Sequence, residues 1–482
     1  MHTKRLLVSP GIQPRPRLLA IALAVLAAVT MVGCASLSQD GGFGSVENTA
    51  RERLGKDLKW VRSDADRAII ETRLRELLAK PLSADDAVQI ALLNNKGLQA
   101  SFAELGISEA DMVQAGRLPN PGFSFGRLTQ GDEVEIERGI HFNLARLLAM
   151  PLLVEVEERR FARVQSEASL QMLTLASQTR KAWIDAVAAA ESVRYMQQVR
   201  QAAEAGAELG RRMAQAGNWN KLRQAREQGF YADAALNLAR AEKAQFSARE
   251  RLTRLMGLWG DQAAFSLPAR LPDLPAAVQE LPNVEQQALR QRLDVQAARL
   301  GAEQTAKNLG LTRATRFINV LELGLVHNNY NDKPVKRGYE VRFELPLFDW
   351  GGAGVSKAEA IYMQSLNRAA ETAVNARSEV REAYIGYRSS HDMARHYRDE
   401  IVPLNKRIAE ENVLRYNGML IGVFELLADA RSQIASVNAY IGALRDFWLA
   451  QADLDMALIG KATPGVASGA GLMPTAANNA AH

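Results

Sequence analysis

The sequence predicts a mainly α-helical protein with a small β part: long coiled-coil helices forming a helical barrel, joined to strands of the transmembrane β-barrel kind. Three observations predict it. Two stretches about 200 residues apart carry heptad seams long enough for helices of about sixty residues. Two short pairs of segments alternate apolar and polar side chains. An apolar run behind a basic N-terminus ends at the chain's single cysteine, Cys34.

Lys4, Arg5, Arg15 and Arg17 form a basic start, and residues 18–32 are apolar apart from Thr30. As a helix these positions reach ~22 Å, short of the ~30 Å hydrocarbon core. A signal peptide over residues 1–33 is therefore favoured over a spanning helix. Met31-Val32-Gly33-Cys34 resembles the lipobox of bacterial lipoproteins, with Met in the usual place of Leu. That resemblance implies cleavage before Cys34 and its lipidation, with palmitate among the acyl chains. The alternative is a buried cysteine with ordinary signal cleavage nearby. Removing residues 1–33 lowers the formal charge from +5 to +1, because they hold four basic and no acidic side chains. No dense Lys/Arg stripe survives, so nucleic acid is not expected as a partner. A single cysteine excludes an intramolecular disulfide, which leaves burial or assembly to stabilise an exported chain. The remainder has no run of eighteen apolar residues, so helices are not expected to cross a membrane.

Residues 34–48 read as a lipidated Gly/Ser-rich tether, and residues 464–482, rich in Ala, Gly and Pro, as a disordered tail. Residues 49–463 form the folded part, with two structural repeats at about 80–260 and 284–460. Arg180-Lys181-Ala182-Trp183 matches Arg381-Glu382-Ala383-Tyr384, and Leu255-Met256-Gly257 matches Leu458-Ile459-Gly460. This period is too long for a solenoid unit. In the first repeat a helix from about Leu152 to Ala214 has its seam at Leu175, Thr179, Ala182, Ala186, Ala189, Val193 and Met196. Ala373, Ala376, Val380, Ala383, Tyr387, Ser390, Ala394 and Tyr397 repeat it in the second. Small seam residues permit close approach in a sheet-like or tubular array; a solvated coiled-coil stalk is the alternative. Pro403 predicts a kink or break in the second arm.

Leu118-Pro119-Asn120-Pro121 ends a helix. Strands are then predicted at 122–128 and 135–144 around a turn at Gly131, and at 317–326 and 338–347 around a polar loop, 327–337. Tyr339, Val341, Phe343 and Leu345 alternate with Glu340, Arg342 and Glu344. Four strands cannot close a barrel that leaves a channel, whereas three chains supplying twelve could.

Several stretches resemble the TolC-like outer-membrane factors, in their lipoprotein form. Residues 82–91, with Ser83 as N-cap and Asp86 three residues on, look like that family's opening helix. Residues 115–121 resemble the entry to its first strand. Glu344-Leu345-Pro346-Leu347-Phe348-Asp349-Trp350-Gly351-Gly352 resembles its strand-to-helix junction in the second repeat, and Arg415-Tyr416 through Phe424-Glu425-Leu426-Leu427 its entry to the last long helix. The resemblance covers about residues 80 to 460. It implies a homotrimer with four strands per chain in one twelve-stranded outer-membrane barrel, and a helical tunnel through the periplasm. It also implies a passive, gated exit duct whose partners are a periplasmic adaptor (membrane fusion) protein and a proton-driven inner-membrane transporter. Cys34 would hold outer-membrane lipid, and Ala35 rather than Asp after it fits outer-membrane sorting.

Family members carry an acidic pair three residues apart at the periplasmic entrance. Glu425 matches the first acid, Ala428 stands in the second place, and Asp429 follows. Trimeric symmetry would bring three Glu425 carboxylates near one axis, where they favour cations; the alternative is a solvated or salt-bridged helix-end Glu. Arg223 looks like the equivalent position in the first repeat, either contributing inter-helix ion pairs or covering the outer surface. Enzyme chemistry is not expected. Residues 351–357 lack both Gly-x-x-x-x-Gly-Lys-Ser/Thr and Gly-x-Gly-x-x-Gly spacing, so no nucleotide or other cofactor is implied. His391 and His396 do not share a helix face, which leaves a metal site without support. The rival reading is a lipid-anchored periplasmic coiled-coil adaptor or structural lipoprotein without a pore. Cargo stays open among metal ions, drugs and polypeptides, although the resembling subfamily suggests copper or another heavy metal.

Overall fold

The computed structural model describes residues 36–461, residue 319 excepted. Cys34, the signal segment and the 464–482 tail lie outside the described residues. Helices α1 (Phe43–Leu54) and α2 (Asp64–Leu78) open the chain. α1 begins within the stretch read as a tether and runs six residues past it. Its Phe43, Val46 and Ala50 are buried, and Phe43 meets Phe102 edge-on at 4.9 Å. Three apolar residues on one face fix a helix to the body despite Gly/Ser-rich surroundings. α3 (Ala84–Asn94) and α4 (Lys96–Ala115) follow, and the Ser83 hydroxyl caps α3 by accepting the Asp86 N–H at 3.1 Å.

Strands β1 (Gly122–Gln130) and β2 (Glu133–Asn143) lead into α5 (Leu144–Gln215), whose 72 residues span ~108 Å. α5 begins at Leu144 rather than near Leu152 and carries Pro151 inside it. The local cost of that proline, about 3 kcal/mol, is offset by packing along the rest of the helix. α6 (Lys221–Met256) runs back beside α5. The second half repeats the order with α7 (Val284–Gln291), α8 (Leu293–Thr315), β3 (Leu321–Tyr330), β4 (Lys336–Phe343), α9 (Gly352–His396), α10 (Val402–Asn417) and α11 (Val423–Ile459). A π-helical turn, Tyr397–Ile401, joins α9 to α10 just ahead of Pro403. The missing proline N–H interrupts the regular ladder, and the chain widens into a π turn instead of breaking.

Thr179, Ala182, Ala186, Val193 and Met196 of the α5 seam are buried, as are Ala376, Val380, Tyr387 and Ala394 of α9. At mid-shaft the buried Trp183 donates its indole N–H to Leu82 O at 2.7 Å. Residues 257–283, between the repeats, have no regular element beyond a 3₁₀ turn at Gly260–Ala263. They form a strap held by side chains rather than by a ladder. Trp448 Nε1 donates to Pro272 O at 3.1 Å and Arg398 Nη1 to Leu274 O at 3.3 Å. His391 Nε2 lies 3.0 Å from Pro275 O, and the Tyr387 hydroxyl accepts the Gln279 N–H at 3.2 Å.

The strands form one antiparallel sheet in the order β1-β2-β3-β4. Its first hairpin matches the expected pair within two residues. The second is shifted toward the turn: 317, 318, 320 and 344–347 are not strand, and most of the supposed polar loop is. A wet sheet face accepts polar side chains, and here they bond across it. Asn328 Nδ2 donates to Glu135 Oε1 at 2.8 Å and Tyr330 Oη to the same oxygen at 2.5 Å.

Candidate functional site

Cross-strand partners point to the same side of a sheet, so the register sorts the strand residues into two faces. One face holds Phe123, Ile140, Leu325 and Tyr339 in one row and Phe142, Leu323 and Val341 in the next. Apart from the half-buried Leu323 these apolar side chains are bare, with Phe123 70% and Tyr339 76% exposed. The junction after β4 continues the apolar surface through Leu345, Leu347 and the 99% exposed Phe348. The opposite face is polar, and Arg342 Nη1 pairs there with Glu322 Oε2 at 3.0 Å. On it His141 lies in a clearing of glycines. Its Nε2 is 2.9 Å from Ser124 Oγ, and a Cβ on Gly324 would stand 2.8 Å from its Nδ1. Strands β1 and β4 each leave one edge unpaired within the chain. A bare apolar face with two open edges is what a lipid-facing segment of barrel wall requires.

The helices end away from the sheet in two tips. One lies between α5 and α6 at residues 216–220; the other, at residues 418–422, presents Met419, 93% exposed and in the left-handed region at φ 58°. Glu425 sits in the first turn of α11, exposed, and no ion pair engages it among the described residues. Asp429 does not join it. Asp429 instead accepts a hydrogen bond from Asn412 Nδ2, tying α11 to α10. The Arg223 backbone N–H is capped by Asn220 Oδ1 at 2.9 Å, while its side chain is exposed and meets neither acid.

The contact that does bridge the arms lies a helical turn beyond Arg223. Arg431 Nη2 on α11 donates to both carboxylate oxygens of Glu227 on α6, at 3.0 and 2.9 Å. Glu227 is buried, and the Arg431 guanidinium stacks 4.1 Å from the Phe230 ring centroid. Tyr195 Oη, donating to Ile434 O at 3.3 Å, reinforces the same junction. Sequence reasoning missed this pair, yet a signal was present. Glu227 lies seven residues before Ala234, a buried seam position, and a charge in a seam demands a partner. Farther up the shaft, burial pushes the Asp185 and Glu191 carboxyls above the usual carboxylate range, with Arg445 and Arg251 partly offsetting this at Asp185. Near the first tip, Arg211 and then Arg212 hold Glu208 down at about 2.

Among the described residues no group of three or more His, Cys, Asp or Glu is arranged to hold a metal ion, and no helix is long and apolar enough to cross a membrane. No family model matches the chain. The chain is 25% identical over 312 residues to the cobalt-zinc-cadmium resistance protein CzcC of Cupriavidus metallidurans, covering 61% of this chain and 70% of the relative. Among solved structures it superposes on CusC, described for transmembrane channel formation, with a TM-score of 0.65 at 17% identity, covering 78% of this chain and 92% of CusC. It superposes on the Campylobacter jejuni CmeC outer membrane channel with a TM-score of 0.67 at 15% identity, over 86% and 91% of the two chains. For the open state of the Neisseria gonorrhoeae MtrE outer membrane channel the TM-score is 0.66 at 20% identity, over 80% and 89%.

Proposed function

We propose that this chain, which has the fold of the outer-membrane efflux channels, is the outer-membrane duct of a tripartite efflux system and a transport component rather than an enzyme. The observation that carries the reading is the four-stranded sheet: bare and apolar on one side, polar on the other, unpaired at both edges. Three copies joined edge to edge make a twelve-stranded barrel with the polar face around a wet lumen. The helices then reach through the periplasm, and acyl chains on Cys34 add a second hold on the membrane. Cargo moves passively. An inner-membrane transporter, proton-driven, supplies the energy, and a periplasmic adaptor couples the two by docking at the helical tips. Docking splays the hairpins around residues 217–226 and 418–429, and widens an entrance ringed by Glu425 of three chains, with Asp429 and Arg223 at its margin. The relative's name joins it to cobalt, zinc and cadmium resistance, which favours divalent metal ions over drugs or polypeptides as cargo.

Single-channel conductance of the purified lipidated protein in planar bilayers, repeated with Glu425→Gln, tests this reading. Discrete trimer conductance whose size or cation selectivity changes with the substitution is expected. A folded trimer that never conducts, even with adaptor present, would favour a lipid-anchored coiled-coil protein without a pore.

A further inference from the structure

The bare apolar face of the sheet has a charged border. Toward the hairpin turns, Phe125, Arg138, His327 and Arg337 are lateral neighbours across the four strands, and Arg127 stands one row farther out on the same face. All three arginines are exposed. No carboxylate shares their face. Glu133, Glu135, Glu137, Glu322 and Glu340, the acidic residues of the strands, all fall on the opposite side by the same register. Three cations thus gather on one face with no carboxylate among them, Arg127 diagonal to Arg138 and Arg337 one strand beyond His327, so the cluster is incomplete without an anion from outside the chain.

Its position identifies where that anion resides. The apolar rows of the strands, with Leu345, Leu347 and Phe348 beyond β4, lie between the arginines and the helices. In the inserted sheet that apolar face lies in the hydrocarbon, so the arginines stand at its upper rim, at headgroup level, on the side of the hairpin turns. From β1 to β4 the patch is ~14 Å wide, broader than one phosphate can cover. Guanidinium groups bind phosphate through paired N–H donors.

We propose that Arg127, Arg138 and Arg337 form a site on the outside of the barrel for the phosphates of a bisphosphorylated glycolipid of the outer leaflet, one site per chain. The proposal rests on the duct reading, because it needs the sheet inserted with its turns outward. The test uses the full-length detergent-purified trimer, titrated with bisphosphorylated lipid A and read by native mass spectrometry. Each arginine is expected to contribute about fivefold, so Arg127→Ser, Arg138→Ser and Arg337→Ser together weaken retention about a hundredfold. The corresponding triple Lys variant retains most of the binding. Monophosphoryl lipid A and phosphatidylglycerol are expected to compete poorly on the unmodified trimer, a measurement that decides the matter even where the Ser variant fails to assemble. Equal retention by the Ser variant, or equal competition by phosphatidylglycerol, overturns the proposal. If the unmodified chain forms no membrane-embedded trimer, the duct reading itself fails before any lipid is measured.

Discussion

Glu227→Ala tests whether the two helical hairpins are latched to each other near the entrance. The substitution removes the carboxylate that accepts from Arg431 Nη2 at 3.0 and 2.9 Å, and leaves a guanidinium whose Nε is already without a partner. Breaking a fully buried pair costs about 3–5 kcal/mol, and an exposed pair less than about 1 kcal/mol. Here the Glu227 side chain is 2% exposed and that of Arg431 30%. Arg431 also keeps its stacking on Phe230, worth about 0.5–1 kcal/mol. About 2 kcal/mol is the expected loss, roughly thirtyfold in the local opening equilibrium. Glu227→Gln keeps a neutral hydrogen bond and should lose about 1 kcal/mol. Glu227→Leu combined with Arg431→Met removes both charges and should recover most of the stability. The assay is hydrogen–deuterium exchange of peptides covering residues 218–232 and 427–436 in the assembled protein. Faster exchange is expected in both segments at once, because the pair belongs to both arms. Unchanged exchange in the second segment, or a double variant as open as the single one, would refute a latch.

Three further outcomes are expected. Tyr339→Asp, Val341→Asp and Phe343→Asp together should abolish membrane integration by placing three carboxylates on the lipid face; normal assembly, read by membrane flotation, would count against a barrel. Gly257→Ala should destabilise the fold by about 2–3 kcal/mol, from left-handed strain and a Cβ only 2.9 Å from Asn94 O, whereas Gly217→Ala, with nothing within 4 Å, suffers the strain alone. Thermal unfolding ranks the two. Asp66, held at about 2 chiefly by Lys59 and then by Ser63 in the cap of α2, has a folded-state pKa below its unfolded 3.8. Its stabilisation is therefore complete above that value and is lost as pH falls through about 2. The melting-temperature gap between the wild type and Asp66→Asn should close over that window, and a gap constant from pH 5 to 2 would refute the assignment.

What was legible in the sequence was whatever repeats a period. The α5 and α9 seams and the alternation of β4 come straight from side-chain spacing; the seams hold, and of the alternation the part from Tyr339 to Phe343 does. Boundaries were less legible. Asn328 and Tyr330 look like loop in a linear reading, because their partners Glu135 and Glu137 lie almost 200 residues away. α1 hid in a glycine-rich stretch because three buried residues hold it, too few for a periodic signal. At the entrance, Glu425, Asp429 and Arg223 were chosen by position along the chain. Asp429 meets Asn412 instead, and the pair joining the arms, Glu227 and Arg431, becomes visible only when two distant seams are laid side by side.

The strap between the repeats has a mechanical consequence. It is fastened to α9 through Tyr387 and His391, to the π turn through Arg398 and to α11 through Trp448. Beyond that turn α10 receives no hydrogen bond from the strap among the described residues. The waist is thus the clamped end of the hairpin, and beyond it α10 is held to α11, by Asn405 with Ser432 and Asn412 with Asp429, rather than to the strap. Residues 401–418 make an arm of ~25 Å, so turning it by about 10° at the π turn would carry the tip by ~4 Å. In the proposed duct, a push of that size at the tip would change the width of the entrance while the two halves stay bound together at the waist.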